Sequence, residues 1–313
     1  MAPSDNRRFS IFTTFVPKNE IMREAFIKLH LSILLAGFTG IFGKLISLSE
    51  GVLVWYRMLI ASLMLLAFLW MGKKLRKVSW GSFMKIAGAG LLLSLHWLFF
   101  YGSIKASNVS IGVVCFSLTG FFTALFEPLL NRKRISLLEL GFSLITLLGI
   151  VLIFHFEMRF RYGILLGVVS SALAALFTVA NKKVGTITAP STVLLYELVG
   201  GFLFITILLP VYLYFYPQDY LIPGTTDLVY LFLFAFFCTI CMCILQIQAL
   251  KSISAFTMNL SYNLEPVYSI ALAMLILGEA KELTLSFYAG LTLIVFSVVL
   301  QMAHVLRQRR LNK

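Results

Sequence analysis

Residues 259–266 read Asn-Leu-Ser-Tyr-Asn-Leu-Glu-Pro and open an otherwise apolar run with no further charge until Glu279. A carboxylate near the middle of a membrane-spanning helix costs about 2.5–3.5 kcal/mol on insertion scales, so such groups face a bundle interior or a cavity. There Glu265 could bind a substrate amine or carry a proton. Ser261, Tyr262 and Ser269 share its side of a helix and offer hydroxyls as a purely structural alternative. Pro266 has no amide hydrogen, so the carbonyl of Tyr262 one turn earlier loses its partner. In lipid a freed carbonyl must face protein or water. Asn259, Tyr262, Asn263 and Pro266 fall at i, i+3, i+4 and i+7, one stripe with two amides and a phenol. Either a substrate-facing wall or interhelical hydrogen bonding would use it.

Other polar residues lie deep in apolar segments. His96 and Trp97 are adjacent, and an imidazole could titrate near neutral pH. Glu197 is a second intramembrane carboxylate. Lys44 and Arg57 sit near the ends of neighbouring segments, with Glu50 between them. These three and Glu197 make a candidate charged network, in which Lys44 and Arg57 could also snorkel to the membrane surface. Trp55 and Tyr56 suit an interfacial belt. Glu127 shares a stripe with Gly120 and Thr123 and precedes the basic run Arg132-Lys133-Arg134, with which a local ion pair is expected. Cys115, Cys238, Cys241 and Cys243 all lie in apolar runs and read as packing residues. The chain shows no P-loop, no Gly-x-Ser-x-Gly and no paired metal-binding histidines. The reading therefore assigns no catalytic residue, no metal and no cofactor.

The elements carrying these residues must be membrane helices. Of 313 residues, 60% are hydrophobic, against roughly 45–50% in soluble domains. Charged residues make up 12% and the mean hydropathy is +0.94. A spanning helix needs about 20 residues. Ten candidate segments follow: 29–48, 51–72, 82–102, 108–130, 136–155, 162–181, 192–215, 227–247, 254–277 and 284–305. The expected class is an all-α membrane protein of ten transmembrane helices.

The net charge of +13 would suggest nucleic acid in a soluble chain. Here the charges cluster between apolar runs and report orientation instead. With both termini cytoplasmic, 20 Lys and Arg fall on the cytoplasmic side and 4 outside, namely Lys105, Arg159, Arg161 and Lys281. That bias is the positive-inside pattern. The N-terminal stretch is not a signal peptide, because its apolar piece (9–16) is short and followed by Pro17. It reads as a cytoplasmic arm, and a chain starting at Met22 is expected to insert and transport.

The halves echo each other. Shifting residues 104–130 by 146 puts Lys105 on Lys251, Leu118 on Leu264, Thr119 on Glu265 and Gly120 on Pro266. Gly120 is thus the kink candidate matching Pro266. Residues 141–152 parallel 290–300. Five helices per half invert the second copy, a plan that recurs in secondary transporters. The expected division is a cytoplasmic arm (1–28), a first repeat (29–155), a second repeat (156–305) and a basic tail (306–313).

Residues 37–65 (GFTGIFGKLISLSEGVLVWYRMLIASLML) and 249–279, with Pro266 thirteen residues before Glu279, resemble EamA-type transporters of the drug/metabolite transporter superfamily. The first half departs from the pattern, with Gly120 for a Pro and Lys133 for a Glu. The resemblance implies alternating access at the plasma (prokaryotic inner) membrane around a cavity built mostly by helices 3, 4, 8 and 9. It implies small polar metabolites such as amino acids as substrates, with export favoured. Glu265, Asn259, Tyr262, Asn263, His96 and Trp97 are the candidate substrate contacts. Expected partners are the substrate, membrane lipid, and protons or a counter-substrate, with no nucleic acid, in a monomer or homodimer. The alternative is a lipid-headgroup flippase or a non-transporting scaffold.

Overall fold

The structure is a computed structural model that describes residues 18–311 except 133, 157, 219, 263 and 282. Among the described residues every regular element is helical. Apolar runs of this length leave no other choice in lipid, because only a helix satisfies its own backbone polar groups. The helices are α1 (Lys18–Gly37, continued by Thr39–Leu45), α2 (Glu50–Met71), α3 (Trp80–Ala106), α4 (Val109–Leu130), α5 (Leu137–Phe156), α6 (Arg161–Val184), α7 (Pro190–Phe215), α8 (Thr225–Leu250), α9 (Ala255–Tyr262), α10 (Glu265–Leu277) and α11 (Leu285–Leu311). Among the described residues, seven helices are long and apolar enough to cross a membrane: α1 to α4 and α6 to α8. Three shorter apolar stretches accompany them, 140–153, 265–277 and 285–297. They lie in the fifth, ninth and tenth segments expected from the sequence.

Two boundaries differ from expectation. The first helix begins well before residue 29, so the expected arm is helical from Lys18 onward. An i,i+4 ion pair, Lys28 to Glu24 at 2.5 Å, lies on that extension. The expected continuous segment 254–277 is broken into α9 and α10, and Pro266 stands in the first turn of α10. The matching break in α4 falls at Ser117 and Leu118, whose amides bond the carbonyls of Val114 and Cys115 at 3.0 Å each. Leu118 and Leu264 both head the following helix with helical backbone angles.

Packing partners exchange between the halves. α3 runs along α6 and α7, while α8 runs along α1 and α2. α4 lies against α6, and α9 and α10 against α1; α5 packs on α11. Small residues permit the closest crossings. A Cβ on Gly90 of α3 would come within 2.0 Å of the Glu197 carbonyl oxygen on α7. Gly149 of α5 and Gly290 of α11 meet reciprocally, each hypothetical Cβ 2.7 Å from the other's carbonyl oxygen.

Helix ends are satisfied across the halves. Asn108 caps α4, its Oδ1 accepting from the Ile111 amide at 2.9 Å. Glu279 adds to this: Oε1 accepts from the Val109 amide at 2.9 Å, and Oε2 from the Ser110 amide at 3.0 Å and hydroxyl at 2.7 Å. At α9 the mirror arrangement holds. Ser254 Oγ accepts from the Thr257 amide at 3.0 Å, and Glu127 Oε2 from the Phe256 amide at 2.9 Å. Lys133 lies outside the described residues; among those described, Glu127 makes no ion pair with Arg132 or Arg134, the local partners expected from its place in the chain. The free N–H groups and positive dipole end of α9 hold its carboxylate instead.

Candidate functional site

The breaks and crossings leave a buried cavity of about 50 Å³ among α1, α3, α4, α6, α8, α9 and α10, room for a few water molecules. α3 supplies His96, Trp97 and Phe100; α6 supplies Phe177 and Thr178; α8 supplies Cys243 and Gln246. Thr39 comes from α1, Phe116 from α4, Asn259 and Tyr262 from α9, and Glu265 heads α10. The wall is thus wider than the four helices implied by resemblance.

Glu265 is 4% exposed. Among the described residues no hydrogen bond or ion pair reaches its carboxylate. Ser269, one of the hydroxyls expected to satisfy it, donates instead to the Gly37 carbonyl at 2.9 Å, and Ser261 to the Thr257 carbonyl at 2.9 Å. The Thr39 hydroxyl is likewise buried without a partner.

The other α9 side chains are committed. Asn259 Nδ2 donates to Thr123 Oγ1 at 2.7 Å and Asn259 Oδ1 accepts from Thr178 Oγ1 at 3.1 Å, which ties α9 to α4 and α6. The Tyr262 hydroxyl donates to Ser32 Oγ on α1 at 3.0 Å. So Asn259 presents an amide already spoken for, and Tyr262 presents its ring. Asn263 lies outside the described residues. Gly120 is buried in α4, three residues beyond the break at Ser117.

His96 and Ser170 are joined by three polar contacts. Ser170 Oγ donates to the His96 carbonyl at 3.0 Å, and His96 Nδ1 lies 2.8 Å from Ser170 Oγ and 3.1 Å from the Ser170 carbonyl. The serine proton is used on the carbonyl, so Nδ1 is the donor in the neutral ring. Nε2 is then the acceptor nitrogen.

Arg57 is fully buried, not snorkelled to an end as the sequence suggested. Its Nε donates to Thr239 Oγ1 at 2.8 Å, Nη2 to the Cys238 carbonyl at 2.8 Å, and Nη1 to the Tyr101 hydroxyl. The guanidinium lies 3.6 Å from the Trp97 ring centre and 4.1 Å from that of Phe234. Cys238 and Thr239 belong to a wide π turn of α8 (Phe236–Cys241), which presents both groups to the cation. Trp97 thus separates Arg57 from the cavity.

The candidate charged network is not joined. Among the described residues no ion pair links Lys44, Glu50, Arg57 and Glu197. Lys44 is exposed in the last turn of α1, and Glu50 is half-buried in the first turn of α2. Glu197 is fully buried, with both oxygens unpartnered, outside the cavity lining. Its segment was placed correctly within α7, but no neighbour in the chain signals that isolation.

Comparison with known proteins follows the same plan. The EamA-like transporter family profile matches residues 25–155 and again 161–303. A curated relative, "Uncharacterized transporter YxxF" of Bacillus subtilis (strain 168), is 26% identical over 166 residues, 51% of this chain. That match spans about half of the relative's length, 53%. A solved structure described as a crystal structure of protein superposes with a TM-score of 0.64, covering 93% of this chain and 99% of that one at 18% identity. At that identity it shows the fold alone.

Proposed function

The chain belongs to the EamA-like transporter family, and from that premise we propose a secondary transporter that moves small polar metabolites across the plasma membrane by alternating access. The observation that carries the reading is the cavity where the halves meet, lined by the buried, unpartnered Thr39 hydroxyl and by a Glu265 carboxylate with no partner among the described residues. An unpartnered carboxylate that lines a cavity can meet a substrate there, whereas one sealed in packing, such as Glu197, cannot.

Ten helices in two inverted five-helix repeats, 29–155 and 156–305, with both termini inside, describe the architecture. The paired family matches, the exchanged packing and the reciprocal caps by Glu279 and Glu127 support the repeats. The lysine and arginine asymmetry supports the orientation. The cavity is small, so substrate entry requires one end to open. Rocking one repeat against the other would do this while leaving the site at midplane. Export is the favoured direction. Protons or a counter-substrate would drive it, and the site needs no cofactor.

Reconstituted vesicles test the reading. Loaded with a broad mixture of labelled metabolites, vesicles containing the protein should gain or lose at least one compound faster than protein-free vesicles. Equal profiles with folded protein present would reject transport.

A further inference from the structure

The groups that face the cavity and remain unused share one electrical character. Glu265 brings two acceptor oxygens with no partner among the described residues, and His96 brings Nε2 as an acceptor once Nδ1 is spent on Ser170. No lysine or arginine lines the space. Arg57 is held behind Trp97 with three of its N–H groups bonded to Thr239, Tyr101 and Cys238. Five aromatic residues share the wall with smaller apolar ones: Trp97, Phe100, Phe116, Phe177 and the ring of Tyr262. A carboxylate with acceptors beside it and π faces around it complements an ammonium group, through charge-assisted hydrogen bonds and cation–π attraction. An anion brought there would meet an unpaired carboxylate in a low-dielectric site. The Thr39 hydroxyl and the Gln246 amide, both without partners among the described residues, can serve one further small polar group.

Resting on the transport reading above, we infer that the cavity selects small monocationic amines: the ammonium seats on Glu265 within the aromatic wall, and a neutral polar group a few atoms away reaches Thr39 or Gln246. The same ammonium chemistry occurs on free amino alcohols and on phosphatidylethanolamine headgroups, so the test needs an arm for each.

Purified protein is titrated with ethanolamine, with its neutral isostere ethylene glycol and with the anionic analogue glycolate, and ligand-dependent thermal stabilisation is read. Ethanolamine should stabilise the fold, while ethylene glycol and glycolate at equal concentration should not. Glu265→Gln should weaken ethanolamine binding at least tenfold. The double variant Thr39→Val, Gln246→Leu should weaken ethanolamine but leave ethylamine unchanged, a pattern that general unfolding cannot produce; unchanged ethanolamine binding in it overturns the polar contact. Proteoliposomes then separate the sources. Uptake of radiolabelled ethanolamine without translocation of labelled phosphatidylethanolamine identifies the free amine; the reverse identifies the lipid headgroup. Stabilisation by glycolate, equal stabilisation by all three probes or stabilisation by none overturns the assignment. The transport reading fails on a different result: no flux of any compound in the metabolite mixture. Flux of neutral or anionic metabolites with no response to ethanolamine removes the amine inference and leaves transport standing.

Discussion

Arg57 shows what a single residue can hide from its sequence. Its polar partners Thr239 and Cys238 lie 182 and 181 residues away. A lysine could not replace it, because an ammonium cannot form three divergent bonds while stacking flat on Trp97 and Phe234. Arg57→Lys should therefore lower stability by at least about 2 kcal/mol, read from denaturation in detergent. An unchanged midpoint would show that the cage is loose. Glu265 was legible as an intramembrane carboxylate beside a proline. Its lack of a partner was not, because that depends on where Ser261 and Ser269 turn their hydroxyls. Asn259 read equally as a wall or a crosslink, and the choice rests on Thr123 and Thr178, on helices far away in the chain.

The helices themselves were largely readable, since apolar runs between basic clusters leave few alternatives in lipid. Their starts and breaks were less so. Repeat alignment places Leu118 against Leu264, and each heads the second helical piece of its half, although only the second half carries the proline. The Glu127 cap was missed because its partner amide, on Phe256, lies 129 residues away. Removing either carboxylate's charge should cost about 1 kcal/mol, as capping residues do. Glu127→Gln and Glu279→Gln act at different helices and share no partner, so the double variant should lose the sum. Strong non-additivity in melting data would mean that the two ends communicate. Gly90→Ala is the severe case at this scale. Its methyl would strike the Glu197 carbonyl, which is backbone and cannot swing aside. A loss above about 2 kcal/mol is expected, and wild-type stability would contradict the close α3–α7 crossing.

For the whole molecule, membrane residence and family were written in composition and in residues 37–65 and 249–279, because lipid and repeat geometry restrict sequence strongly. Orientation rests on 20 basic residues against 4. A cysteine at exposed Ile222 should react with an impermeant maleimide in intact cells; reaction only after permeabilisation would reverse the topology. The interior was far less legible, since the cavity and its unpartnered carboxylate arise only when helices of both halves pack together. The central claim is that the carboxylate in this cavity serves transport. Glu265→Gln keeps shape and hydrogen-bonding capacity while removing the charge, so flux per folded molecule measured alongside melting temperature tests the claim most directly. The account predicts an unchanged or slightly raised melting temperature with flux reduced at least about tenfold, equivalent to about 1.4 kcal/mol in binding or barrier. Wild-type flux per folded molecule in that variant would contradict it.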